Sequence, residues 1–243
     1  MSRGQTDYWR QKSNFSSMQC VILAAGRGTR MRPLTDTTPK PLLLVGGKPI
    51  LDHILEALPA EITEVIFVTN YLEEQIKSYY GAKWGSRKMS YVTQENPAGG
   101  TGAALLCAKS LITGKFLVLN GDDIHGAVVL SMAIRHSNAL LAVHSDTPER
   151  FGVIEKNPDG TLQSIKEKPE KPTSNLVNTG GFVADQALLD FEVEISNSGQ
   201  LYATDMLTLF AQKHKVVVLE QDFWIPIGYP EDITKAEEQL GQK

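Results

Sequence analysis

Short, unbroken apolar runs set off by turn residues organise the first two thirds of this chain. Cys20 to Ala25 is such a run; it stops at Gly26, and its length predicts a buried strand. A loop rich in Gly, Thr and Pro follows to about Pro41. Pro49 then precedes apolar positions at Ile50, Ile54, Leu55 and Leu58, the spacing of one helix face. The alternation repeats, with Glu64 to Thr69 as strand, Leu72 to Tyr80 as amphipathic helix, Met89 to Thr93 as strand and Thr101 to Leu111 as helix. Lys115 to Leu119 predicts a strand ending at Asn120-Gly121-Asp122-Asp123. A helix over Ala127 to His136 and a strand over Ala139 to His144 complete this part.

Strands that are apolar throughout, alternating with helices, signal a parallel sheet covered on both faces. The rhythm changes after Asp146. Phe151 to Glu155, Leu162 to Glu167 and Thr179 to Ala184 are strand-like, with turn signals such as Asn157-Pro158-Asp159-Gly160 between them. Ala203 to Lys213 predicts a helix, Val216 to Leu219 a strand and Pro230 to Leu240 a closing helix. The expected fold class is α/β: a Rossmann-like, mostly parallel sheet with helices on both faces and a small antiparallel addition. One domain is expected over residues 18–243. Residues 1–17 are polar, lack the apolar stretch of a secretory signal, and read as a mobile N-terminal extension.

Composition narrows the chemistry. A chain of 243 residues with 42% hydrophobic and 21% charged positions can bury a core without disulfides or a structural metal. The net charge of −4 and the absence of a Lys/Arg block argue against a nucleic-acid partner. No window approaches a membrane span, so no membrane partner is expected either. The two cysteines, Cys20 and Cys107, lie in apolar segments and read as reduced thiols of a cytoplasmic protein. The oligomeric state stays open, a homo-oligomer included.

Ligands of open α/β sheets bind beyond the carboxyl ends of the strands. Three such ends carry unusual residues: Gly26 to Arg30, Gln94 to Gly102, and Asn120 to Asp123. In the first, glycines let backbone N–H groups converge on an anion, and Arg30 and Lys40 add fixed cations suited to phosphate oxygens. Glycines alone would equally suit a strained turn. The loop is not a dinucleotide fingerprint, which needs a third glycine where Met31 stands, and it lacks the Gly-Lys-Ser/Thr of a Walker A loop. At the second end, Gln94 can donate to one base-edge atom and accept from another; Gly99 to Gly102 also suits a helix start with Thr101 as its cap. At the third, Asp122 and Asp123 suit either a turn or a divalent cation on phosphates.

The stretch LAAGRGTRMRPLTDTTPKPLL resembles the signature of the sugar-phosphate nucleotidyltransferases, a Gly-x-Gly-Thr-Arg pattern followed by Lys-Pro. Glu167-Lys168-Pro169 and Asn178-Thr179-Gly180 match further motifs of that family in order, and the likeness runs from about residue 18 to 240. The family's C-terminal β-helix extension, present in some members, has no counterpart here. The resemblance implies transfer of a nucleotidyl group from a nucleoside triphosphate to a sugar 1-phosphate, with pyrophosphate released and Mg²⁺ as cofactor. Ala25, Gly26, Gly28 and Thr29 would hold the triphosphate, with Arg30, Lys40 and Asp122 acting on the reacting phosphates. Gln94, with Gly99, Gly100 and Thr101 beside it, would read the base, favouring UTP or dTTP. Gly152, Glu167, Lys168 and Asn178 would hold the sugar phosphate, so the antiparallel addition is expected to bind the sugar. Asp122 would hold the metal.

One position departs from the pattern. The family's second metal-binding Asp lies in Trp-x-Asp-x-Gly, and here Trp224-Ile225-Pro226-Ile227-Gly228 puts proline in its place. Asp123 or Asp222 is then a candidate second ligand. The alternative is a catalytically weakened homologue that binds nucleotide sugars or regulates. None of the five histidines is given a catalytic role.

Overall fold

The computed structural model describes residues 17–193 and 199–241. The expected extension lies, but for Ser17, outside the described residues. The strands and α-helices run β1 (Met18–Leu23), β2 (Leu44–Val45), β3 (Lys48–Pro49), α1 (Ile50–Ala57), β4 (Ile62–Thr69), α2 (Glu73–Tyr80), β5 (Lys83–Trp84) and β6 (Arg87–Thr93). Next come α3 (Gly100–Cys107), β7 (Phe116–Asn120), β8 (Asp123–His125), α4 (Ala127–Ala133), β9 (Ala139–His144), β10 (Gly152–Lys156), β11 (Leu162–Glu167) and β12 (Leu176–Ala184). The chain ends with α5 (Ala203–Ala211), β13 (Val217–Glu220), β14 (Trp224–Pro226) and α6 (Pro230–Gly241).

The central strand β1 lies between β4 and β7 and is parallel to both. The chain first builds outward through β4 and β6, then returns to lay β7 on the other side of β1. That reversal of direction is a topological switch point, and it opens a crevice beyond the ends of β1 and β7. The crevice is fastened at its base by Gly121 N–H donating to the Leu23 carbonyl at 2.9 Å.

Side chains of the parallel strands alternate between two cores. Cys20, Ile22, Phe67 and Leu119 pack with α1, α2, α4 and α6, whereas Val21, Ile66, Val68 and Val118 pack with α3 and α5. Both sheet faces are therefore buried, as the continuous apolar runs predicted. The expected mixed, mostly parallel α/β architecture is what forms.

The antiparallel addition is the hairpin β10–β11 on β12, which itself runs antiparallel to β7 and β9. Pairing of β12 with β9 breaks between Asn178 and Phe182. This break lies at the crevice, against Asn120 and Asp123. Several expected elements change length. The helix after Gln94 starts at Gly100 and ends at Cys107, with a one-turn 3-10 helix over Lys109–Leu111. The helix expected to reach His136 stops at Ala133, and the one expected to reach Lys213 stops at Ala211. Asp123 is not a turn residue: it begins β8, which pairs with β14. No helix among the described residues is long and apolar enough to cross a membrane.

Candidate functional site

The crevice holds two cavities, of about 570 Å³ and about 330 Å³. Leu23, Arg30, Thr101, Asn120, Asp122, Lys168 and Tyr202 line both, so these residues form the wall between them. The larger one is otherwise lined by Ala25, Gly26, Gly28, Thr29, Lys40, Gln94 and Gly100. The smaller one takes in Gly152, Glu167, Asn178, Asp123, Pro226 and Tyr229. Three charged side chains that are far apart in sequence, Arg30, Asp122 and Lys168, thus stand where the cavities meet.

The loop after β1 is shaped by its neighbours. Met31 buries its side chain fully in the core, while adjacent Arg30 is exposed. Gly28 has φ +60, and a Cβ there would lie 3.0 Å from both Lys40 Cβ and Thr35 Cγ2. Only glycine allows this turn to close against the Lys40 stem. Lys40 is buried, and its ammonium forms an ion pair with Asp122.

Gln94 is buried, its side-chain N–H₂ donating to the Gly100 carbonyl at 3.2 Å. Its side-chain oxygen bonds no other described residue in the hydrogen-bond network, which leaves an acceptor for the larger cavity. Gly99 lines neither cavity; its carbonyl accepts from Leu201 N–H at 2.8 Å, and Gly102 N–H returns a bond to the Leu201 carbonyl at 2.8 Å. A Cβ on Gly100, at φ +90, would lie 2.5 Å from that same Leu201 oxygen. The glycines here therefore admit the 201–202 backbone. Thr101 does not cap α3; its hydroxyl accepts from Ala203 N–H at 3.0 Å and joins α3 to α5.

On the other side, Lys168 adopts φ +42, an unusual left-handed backbone for a residue with a side chain. Its N–H donates to the Phe151 carbonyl at 3.0 Å. Glu167 is held against the end of the hairpin, and burial pushes its carboxyl above the usual range despite the nearby Lys168 ammonium at 3.8 Å. Asn178 accepts the Gly180 N–H through its side-chain oxygen at 3.0 Å, which shapes the break in β12.

The acidic pair divides its roles. Asp122 is part-exposed and lines both cavities. Asp123 is buried; Asn120 Nδ2 donates to one of its oxygens at 2.8 Å and Trp224 Nε1 to the other at 3.2 Å. Burial, then the Asp122 charge, pushes its carboxyl well up. Asp222 is exposed and lines neither cavity, so it is not brought to Asp122. Pro226 pairs with Asp123 across β8 and β14. Among the described residues no three His, Cys, Asp or Glu side chains group as a metal cage. The donor set instead suits a hard cation that takes one carboxylate, Asp122, and completes its shell with phosphates and water.

Tyr202, Arg150 and Tyr229 are lining residues that were not singled out from the sequence, whereas Asn120 belongs to the third strand end. Asn120 and Tyr202 belong to the shared wall, and Arg150 and Tyr229 belong to the smaller cavity. Arg30 and Arg150 both approach the Tyr229 ring, their Cζ atoms 5.1 Å and 5.4 Å from its centre. Arg150 stands directly before Phe151-Gly152, and that adjacency was the one available signal.

A switch-point crevice lined by a glycine loop, cations and a carboxylate on a mixed sheet is the frame of a nucleotide-handling α/β protein. The model of the nucleotidyl transferase family matches residues 19–243, and the chain belongs to that family. The bifunctional protein GlmU of Methanococcus maripaludis is 35% identical over 224 residues, which is 90% of this chain and 53% of the relative. The chain thus spans about half the length of the GlmU relatives it matches. The UTP–glucose-1-phosphate uridylyltransferase AglF of Haloferax volcanii is 33% identical over 93% of this chain and 98% of its own length. Among solved structures, a putative glucose-1-phosphate thymidylyltransferase from Bacillus anthracis superposes with a TM-score of 0.82 at 26% identity, covering 91% of this chain and 94% of that one. A UDP-glucose pyrophosphorylase complexed with UDP-glucose has the same fold, with a TM-score of 0.79 at 22% identity over 93% and 98% of the two chains.

Proposed function

We propose that residues 18–243 act as one unit that joins a nucleoside triphosphate, UTP or dTTP by preference, to a sugar 1-phosphate and releases pyrophosphate. The observation that carries this reading is the shared wall, where Arg30, Asp122 and Lys168 lie between a cavity with a glycine loop and one with half-buried Glu167. The triphosphate lies along the loop from Ala25 to Thr29, with its base toward Gln94, whose free oxygen accepts the imide N–H of uracil or thymine. The sugar sits among Gly152, Glu167 and Asn178, with its phosphate toward Lys168.

A 1-phosphate oxygen attacks the α-phosphorus in line, forming the new P–O bond as the bond to pyrophosphate breaks. Arg30 and Lys168 hold the two anions together against their repulsion, and Lys40 neutralises charge on the leaving side. Asp122 would hold Mg²⁺, which would supply charge neutralisation on the phosphates. The attacking phosphate is already ionised at neutral pH, so no side chain need remove a proton. Two reduced thiols, Cys20 buried and Cys107 partly so, suit a cytoplasmic setting.

Pyrophosphate release from each of five nucleoside triphosphates with several sugar 1-phosphates and Mg²⁺ tests the reading. Turnover with a uridine or thymidine nucleotide is expected, and no release from any pair would refute it. Pro226 at the sugar-side wall favours a second reading, a homologue that binds the nucleotide sugar without making it. Tight UDP-sugar binding with no pyrophosphate release is the outcome that reading requires.

A further inference from the structure

Two guanidinium groups from distant segments meet at one phenol. Arg30 comes from the loop after β1, Arg150 from a one-turn 3-10 helix (Pro148–Arg150) leading into β10, and Tyr229 from the residue before α6. Both guanidinium groups approach the Tyr229 ring, and hydrogen bonding from Arg30, then its charge and that of Arg150, draws the Tyr229 hydroxyl below the usual phenol range. The ion pairs of the described residues include Arg32 with Asp36 but neither Arg30 nor Arg150. Carboxylates line the same cavity, Glu167 among them, but neither guanidinium is ion-paired to one, so the two like charges repel and an anion bound between them relieves the repulsion. The planar donor fork of arginine fits a phosphate.

The hairpin adds a third cation beside them. Gly152 pairs with Glu167, so Arg150 and Lys168 flank the same end of β10 and β11, and Lys168 N–H is bonded to the Phe151 carbonyl. Arg30 and Lys168 line both cavities, but Arg150 lines only the smaller one. A phosphate touching all three cations must therefore belong to the sugar side.

Resting on the reading above, we propose that Arg150 binds the phosphate of the sugar 1-phosphate, and that Tyr229 is a positioning residue that aims Arg150 and Arg30 at the two phosphates that react. The pair separates substrate roles: Arg30 serves the boundary, and Arg150 serves the acceptor alone.

The test uses whichever sugar 1-phosphate the wild-type chain turns over, with glucose 1-phosphate tried first. Kinetics and calorimetry compare wild type with Arg150→Met, Arg150→Lys, Tyr229→Phe and Tyr229→Ala. Arg150→Met should raise KM and Kd for the sugar 1-phosphate about tenfold or more, the loss expected of a charge-assisted contact. It should leave the Kd for UTP unchanged, and Arg150→Lys should recover part of the loss. Tyr229→Phe keeps the ring and loses only the hydroxyl's contacts with the two guanidinium groups, so it should raise KM for the sugar 1-phosphate less than Tyr229→Ala does. Unchanged KM for the sugar 1-phosphate in Arg150→Met, or equal losses of UTP and sugar 1-phosphate affinity, would overturn the assignment. Wild-type turnover alongside that result sinks only this inference; a wild-type chain inert with every sugar 1-phosphate sinks the proposed function as well.

Discussion

Lys168 holds its ammonium at the wall between the cavities only by accepting φ +42, a conformation that costs a side-chain-bearing residue on the order of 1 kcal/mol. Strain tolerated at the wall between the two cavities suits the phosphate-binding role proposed for Lys168. Lys168→Gly removes both the strain and the charge, so its Tm should be no lower than wild type while kcat/KM for the sugar 1-phosphate falls by roughly a hundredfold. Thermal denaturation together with steady-state kinetics checks this, and a variant that keeps full activity would remove Lys168 from the site. Pro226 poses the opposite case. It pairs with Asp123 and lines the sugar side, so Pro226→Asp adds a carboxylate beside Asp122. Electron paramagnetic resonance of Mn²⁺ with UTP present should then report about tenfold tighter metal binding. Weaker binding would mean that position 226 does not face the metal.

Elements decide what single residues can reach. The segment around Leu201 lies so close to the start of α3 that a Cβ on Gly100 would strike the Leu201 carbonyl. Gly100→Ala should cost about 2 kcal/mol of stability and weaken UTP binding, because Gly100 also accepts the Gln94 side chain. Chemical denaturation and nucleotide titration would show both losses, and an unchanged midpoint would contradict the packing. This contact could not be read from sequence, because residues 100 and 201 meet only after α5 docks on α3. The pairing of β8 with β14 was hidden for the same reason, since each strand is three residues long. Asp123, which the sequence offered as a turn residue or a second metal ligand, is instead a buried strand residue with both oxygens engaged. Local periodicity did reveal β1, β4 and β7, which are apolar toward both faces, and also β6, of which only Met89 is buried. Helix ends were overestimated where apolar residues continue into a 3-10 turn, as at Lys109–Leu111.

Across the whole molecule, one buried group sets a pH limit. His125 lies between the sheet and the C-terminal strands, its Nδ1 bonded to Gln221 at 3.3 Å and its Nε2 without a partner among the described residues. Burial lowers its pKa from 6.5 to about 4. Between those values the unfolded chain binds a proton that the folded chain refuses, so stability falls as pH drops from 6.5 toward 4 and this loss is complete below 4. The effect amounts to about 3 kcal/mol. Denaturation of wild type and His125→Gln at pH 7 and pH 4 should show wild type losing about that much more than the variant; equal losses would show that His125 is charged in the fold. The convergence of the candidate residues on one crevice was largely readable, because glycines, cations and carboxylates at strand ends meet where a parallel sheet reverses direction. Arg150 and Tyr229 were not, because nothing in their local sequence marks a cation shared between loops.

The arrangement of charges around that reversal is tested most directly by the anomalous signal of Mn²⁺ in crystals grown with a non-hydrolysable UTP analogue. A single Mn²⁺ peak between the Asp122 carboxylate and the nucleotide phosphates is expected, with Arg30 on the same phosphates and the uracil at Gln94. A nucleotide bound outside the crevice, or Mn²⁺ held by carboxylates other than Asp122, would contradict it.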